Sequence, residues 1–140
     1  MTKKLSFSLQ TINKDLIIYE TSKSIAVLHP QPFLKYHVLI FPQSNQNSID
    51  KLRQKELDDL FLTVDKLGRA FDDLGEGFTV LFREHDEILA VHLAVRNPND
   101  LENNDNIYEE GALKMADFAN VSDEMKEAAL FLRNKIQNVC

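Results

Sequence analysis

The chain has 140 residues, with 16 basic and 22 acidic side chains and a net charge of −6. Apolar residues make up 44% and charged residues 27%, the proportions of an ordinary globular domain, and a chain of this length buries roughly two-thirds of its unfolded surface in one core, so a single domain over residues 1–140 is predicted. The longest nearly apolar run, Ile88 to Val95, is too short for a membrane span; the acidic balance argues against general nucleic-acid binding; and the lone Cys140 excludes an internal disulfide or a cysteine zinc site.

Leu16 to Thr21, apolar, β-branched and aromatic, reads as a first strand. Ser24 to His29 reads as a second after a tight turn, ended by Pro30-Gln31-Pro32, because proline cannot donate to a ladder. A third strand, His37 to Phe41, is expected to stop at Pro42, and the polar stretch Gln43 to Asp50 to form a loop. Leu57, Leu60, Phe61, Val64, Leu67, Phe71 and Leu74 recur at three- and four-residue steps and predict a helix that Gly75 ends. Two strands follow, Phe78 to Arg83 and Ile88 to Val95, joined by the turn Glu84 to Glu87. Residues 97–120, rich in Asn and Asp, read as a mobile surface loop. Ser122 then caps a last helix with Asp123 and Glu124 in its first turn and Val121, Met125, Ala128, Leu132 and Ile136 as its buried stripe. The order β-β-β-α-β-β-loop-α, with strands joined by short turns, predicts an α+β domain with one antiparallel sheet.

The strand Ile88 to Arg96 carries the most chemical information. Alternation sends Leu89, Val91, Leu93 and Val95 to an apolar core face and Ile88, Ala90, His92, Ala94 and Arg96 to the other. Small residues beside one His and one Arg leave the room that a ligand floor needs. The same pattern also suits a face packed under a helix or a partner chain. The remaining histidines are His29, His37 and His85, the last expected as an exposed turn residue. A metal pair of His37 and His92 lacks an evident third ligand.

Four stretches match a known pattern: His37-Val38-Leu39-Ile40 with Pro32 ahead of it; Leu52-Arg53, Glu56, Asp59-Leu60-Phe61, Thr63 and Gly68; Asn104-Asp105-Asn106-Ile107-Tyr108-Glu109-Glu110; and Ser122, Glu124-Met125, Ala128-Ala129 and Leu132-Arg133. Through them the chain resembles the histidine triad (HIT) family, and within it the Fhit-like branch of dinucleoside polyphosphate hydrolases. The resemblance implies a HIT-like fold, with about five strands packed by a long helix and a C-terminal helix. It also implies a homodimer and a purine nucleotide or dinucleoside polyphosphate as ligand; no cofactor or metal is expected.

The same resemblance breaks at the chemistry. The family's motif, His-φ-His-φ-His-φ-φ, falls on Ile88, Ala90 and His92, with Arg96 at the family's arginine. The middle histidine is the family's nucleophile, which divides one hard step into two through a covalent intermediate; Ala90 cannot do this. Attack by His92 or His37 instead would need a shift of about 7 Å along the strand. Tyr36 replaces the family's Gly, Lys35 its Pro, and His29 its ribose-contacting Asn. The Gly-rich phosphate segment shrinks to Glu84-His85-Asp86-Glu87, whose carboxylates would repel a polyphosphate. These simultaneous departures point to natural degeneration.

The resulting expectation is a nucleotide-binding or scaffolding pseudoenzyme in which His29, His37, His92 and Arg96 contact the ligand. An active hydrolase releasing AMP and an interaction module with a filled cleft stand as alternatives. Tyr108 is a candidate phosphosite. The N-terminus, Met1 to Leu5, shows no apolar stretch after its lysines, so no signal peptide is expected. Together with the lack of disulfides this points to the cytosol or nucleus.

Overall fold

The computed structural model describes residues 12–30, 34–85, 88–103, 106–107 and 121–138. Five strands form one sheet: β1 (Ile17–Glu20), β2 (Ser24–Leu28), β3 (His37–Pro42), β4 (Gly77–Glu84) and β5 (Leu89–Arg96). Their spatial order is β1-β2-β3-β5-β4, and every neighbouring pair is antiparallel. Two helices, α1 (Gln54–Ala70) and α2 (Asp123–Gln137), pack on one face. Leu60, Leu67, Ala129, Leu132 and Ile136 join the strands' apolar side chains in the principal core, giving the predicted α+β architecture.

Several boundaries move for physical reasons. Leu16 lies in a short 3-10 turn (Lys14–Leu16) rather than in β1. The third strand includes Pro42, which pairs with Ser24. The long helix stops at Ala70, short of Gly75, because Phe71 leaves helical geometry (φ −101°, ψ 12°) to bury its ring completely. A 3-10 turn, Asp72–Leu74, then carries the chain to Gly75. That glycine sits hard against β5, where a Cβ would lie 2.5 Å from Val95 Cγ1 and 2.7 Å from the Arg96 carbonyl oxygen. The last helix starts as predicted: Ser122 Oγ accepts the Met125 N–H at 3.2 Å.

The strand register decides which residues share a face. His37 lies opposite Ala94, Leu39 opposite His92, Thr79 opposite Ala94, Leu81 opposite His92 and Arg83 opposite Ala90. These residues occupy the sheet face turned away from the helices. Leu93, Val80 and Phe78 face α1, where they line a groove with Val64 and Gly68. The non-helical face was expected to leave room, yet Ile88 to Ala94 are all at most 1% exposed. At the Ala94 end the cause is visible: Leu34 and Ile107 form a second apolar cluster on Ala94, flanked by Leu81 and Leu101.

Candidate functional site

The register makes His37 and His92 diagonal neighbours across β3 and β5. Their rings meet with His37 Nε2 2.9 Å from His92 Nδ1. His29, one residue past β2, stacks on His37 with centroids 4.6 Å apart and planes at 17°. The fourth histidine arrives from β4. The His85 N–H donates to the Ile88 carbonyl at 3.0 Å, extending the β4–β5 ladder, and its ring reaches inward to place Nε2 2.9 Å from His92 Nε2. The structure therefore gathers all four histidines of the chain into one cluster. His29, His37 and His92 are buried, whereas His85 is half-buried at the rim.

His85 corrects the expectation of an exposed turn residue. The signal was present in the parity of β4. Gly77, Thr79, Leu81, Arg83 and His85 alternate onto one side, and the pairing of Leu81 with His92 makes it the histidine face. Only the register, invisible in the sequence, shows that the imidazole reaches His92.

Burial sets the protonation of the inner rings. Desolvation, reinforced by His29, lowers the His37 pKa to about 3. His92 falls to about 2, again mainly through burial, with His37, His85, Arg83 and His29 adding to it. Both are neutral near pH 7, so each carries one N–H. His37 Nδ1 is buried and has no hydrogen-bond partner among the described residues. An orphaned buried N–H is rarer and costlier than a bare acceptor nitrogen. The network therefore favours His37 Nε2–H donating to His92 Nδ1 and His92 Nε2–H donating to His85 Nε2. A neutral His85 then carries its hydrogen on Nδ1.

The other expected site residues are placed differently. Ile88 and Ala90 are fully buried and offer no polar atom. Arg96 turns to Asp100, with Nε 2.8 Å from Oδ2 and a terminal nitrogen 3.0 Å from Oδ1, while its other terminal nitrogen donates to Thr79 at 3.0 Å. That fork, together with the Asn97 N–H at 3.0 Å, lowers the Asp100 pKa to about 2, the Arg96 hydrogen bonds being the main cause. The loop expected to be mobile is thus anchored where it is described: Asp100 is clamped and Ile107 is fully buried. Tyr108 and the rest of that loop to residue 120 lie outside the described residues, as does Pro32. Among the described residues, no group of three His, Cys, Asp or Glu is arranged to hold a metal ion. The two nitrogens of His92 point to different imidazoles. Arg83, which the sequence reading missed, stands across from Ala90 and places a cation beside the cluster.

Comparison with known proteins gives this arrangement its context. The HIT domain matches residues 10–139. The bis(5'-adenosyl)-triphosphatase of Dictyostelium discoideum is 28% identical over 107 residues, covering 71% of this chain and 72% of that protein. The bifunctional bis(5'-adenosyl)-triphosphatase/adenylylsulfatase FHIT of Arabidopsis thaliana is 27% identical over 112 residues, covering 74% of this chain and 62% of that protein. Among solved structures, the Plasmodium falciparum diadenosine triphosphate hydrolase in complex with Cyclomarin A shares the fold, with a TM-score of 0.70 at 17% identity over 99% of this chain and 87% of that one. A domain match over nearly the whole length, on a five-stranded sheet of the same fold, shows that the chain belongs to the HIT domain family, in keeping with the Fhit-like branch.

Proposed function

We propose that this protein binds a dinucleoside polyphosphate or a related purine nucleotide at its histidine face without hydrolysing it. The observation that carries the reading is Ala90, on the same sheet face as His92 and opposite Arg83. The strand that would present an attacking imidazole has only a methyl group there, while the surrounding imidazoles and a cation remain. The names of the relatives, triphosphatases of diadenosine compounds, support the ligand class. The missing nucleophile supports binding in place of turnover. A homodimer, formed through the open edge of the sheet, belongs to the same proposal.

Calorimetric titration with diadenosine triphosphate, followed by assay of the cell contents for AMP, tests this. Saturable heat without AMP is the expected result. AMP in step with protein concentration would overturn the non-hydrolytic part. An absence of heat up to millimolar ligand would overturn binding. It would favour a second reading, a protein-interaction module, which draws its support from Leu34 and Ile107 packed on the same face.

A further inference from the structure

We infer that the Arg96–Asp100 ion pair is the latch of an apolar cover on the histidine face, and that Ile107 must leave Ala94 before a ligand reaches His37. The inference rests on the nucleotide-binding reading above and adds the control of access to that site. Ala94 lies opposite His37 on β3 and opposite Thr79 on β4. Directly opposed residues of antiparallel strands touch, so whatever sits on the Ala94 methyl group sits beside His37. Leu34 and Ile107 fill that position, with Leu81 and Leu101 against them. Ile107 and His37 are both fully buried. This small cluster is separate from the principal core, so it can come apart without unpacking the helices from the sheet.

The latch lies at the end of the same strand. Arg96, two residues beyond Ala94 and on its side of β5, grips both carboxylate oxygens of Asp100 and also donates to Thr79 on β4. The Asn97 N–H donates to the same carboxylate. The two charged side chains are only 16% and 14% exposed. An exposed pair of the same spacing, such as Arg69–Asp65 on α1, contributes little; a shielded fork holds more firmly. The residue after the latch, Leu101, already belongs to the apolar cluster. The Asn106 N–H then returns to the Asn103 carbonyl at 2.9 Å, and the next residue is Ile107. The cover is thus fixed at one polar point and one apolar point.

The closed arrangement carries a cost that favours a second state. His37 Nδ1 is buried with no hydrogen-bond partner among the described residues. With Ile107 lifted, water or a ligand donor reaches that nitrogen, so the open state regains a hydrogen bond as it gives up apolar burial. The Arg96–Asp100 fork weighs towards closure. A ligand that needs the open face binds with an affinity reduced by the fraction of molecules that are open. Weakening the latch therefore raises both the exposure of His37 and the affinity.

The test uses the full chain and two independent readouts. Diethyl pyrocarbonate acylates a neutral imidazole that solvent can reach, and mass spectrometry follows its rate at His37. Calorimetry gives the affinity for diadenosine triphosphate. Asp100→Asn keeps the size of the side chain and removes its charge, and Ile107→Ala thins the cover without touching the ion pair. Each is expected to speed the modification of His37 about fivefold or more and to tighten nucleotide binding by a similar factor. Asp65→Asn, which breaks the exposed pair on α1, should change neither. Leu60→Ala, which weakens the principal core, separates opening of the cover from global unfolding: a gain at His37 as large as that of Asp100→Asn would make the exposure global and overturn the latch. An unchanged rate at His37 in both Asp100→Asn and Ile107→Ala would also overturn it, whatever the nucleotide result. Faster modification with equal affinity in the wild type and the variants would overturn the control of access while leaving nucleotide binding intact. Faster modification with no binding by any form would keep the latch and overturn the nucleotide-binding reading.

Discussion

His37 and His92 are ordinary imidazoles in the unfolded chain, with a pKa near 6.5, and are held to about 3 and about 2 in the fold, chiefly by burial. The unfolded state takes up protons first as the pH drops, so their contribution to stability is complete above about pH 6.5 and is lost as the pH falls towards the folded values. Down to pH 5, each ring costs about 2 kcal/mol of stability, or on the order of 4 kcal/mol for the two. The depressed Asp100 acts in the same direction, but in a lower window, below about pH 4. Denaturant unfolding at pH 7.5 and pH 5.0 should reveal a drop of several kcal/mol, and His92→Gln should flatten part of the slope. Equal stability at the two pH values would mean that the imidazoles are not neutral and sealed. The same burial covers position 90: Ala90 is fully buried, so the loss that the sequence records there opens no exposed floor on that face.

At the scale of elements, close approach rather than propensity fixes the corner between α1 and β4. Gly75→Ala would drive a Cβ into Val95 and the Arg96 backbone, an overpacking that costs about 1–3 kcal/mol. Gly68→Ala, inside α1, adds a Cβ that meets nothing within 4 Å and replaces a poor helix former, a gain of up to about 1 kcal/mol. Thermal melts of the two variants should therefore move in opposite directions, and a fall for both would sink the account. The elements themselves were legible because periodicity reports burial directly: Leu60 and Leu67 mark the inner face of α1, and Ser122 announces α2. The end of α1 was not, because Phe71 and Leu74 keep the helical spacing after the helix has stopped. The site was half legible. The altered motif on Ile88, Ala90 and His92 is written in the sequence, and so is the parity of Arg83 and His85. The meeting of His85 with His92 depends on register and side-chain reach, which no local pattern encodes. Arg96 and Asp100, four residues apart, could have been read as a pair, but only the turn after β5 brings them within 2.8 Å.

For the whole molecule, the strand that bears on assembly is β4. It is an edge strand, and an edge offers unpaired backbone groups to another strand. Apolar side chains that one chain leaves in water lie on it and beside it: Val80 is 44% exposed and Phe61 on α1 53%, and Phe61 packs on Phe82 of β4 with ring centroids 5.1 Å apart. An apolar patch continuous with a sheet edge marks an interaction surface, and two copies related by a twofold axis would each offer the same patch to the other. Pairing β4 with its counterpart would extend five strands to ten and cover Phe61 and Val80 together. Sedimentation should then give a dimer of the 16.1 kDa chain, and the double variant Phe61→Glu with Val80→Lys should sediment as a folded monomer. Phe131, 43% exposed on α2, is the control: if Phe131→Glu separates the subunits and the β4 double variant does not, assembly runs through the C-terminal helix instead of the sheet edge. A wild-type chain that stays monomeric at high micromolar concentration would leave neither surface a role in self-association.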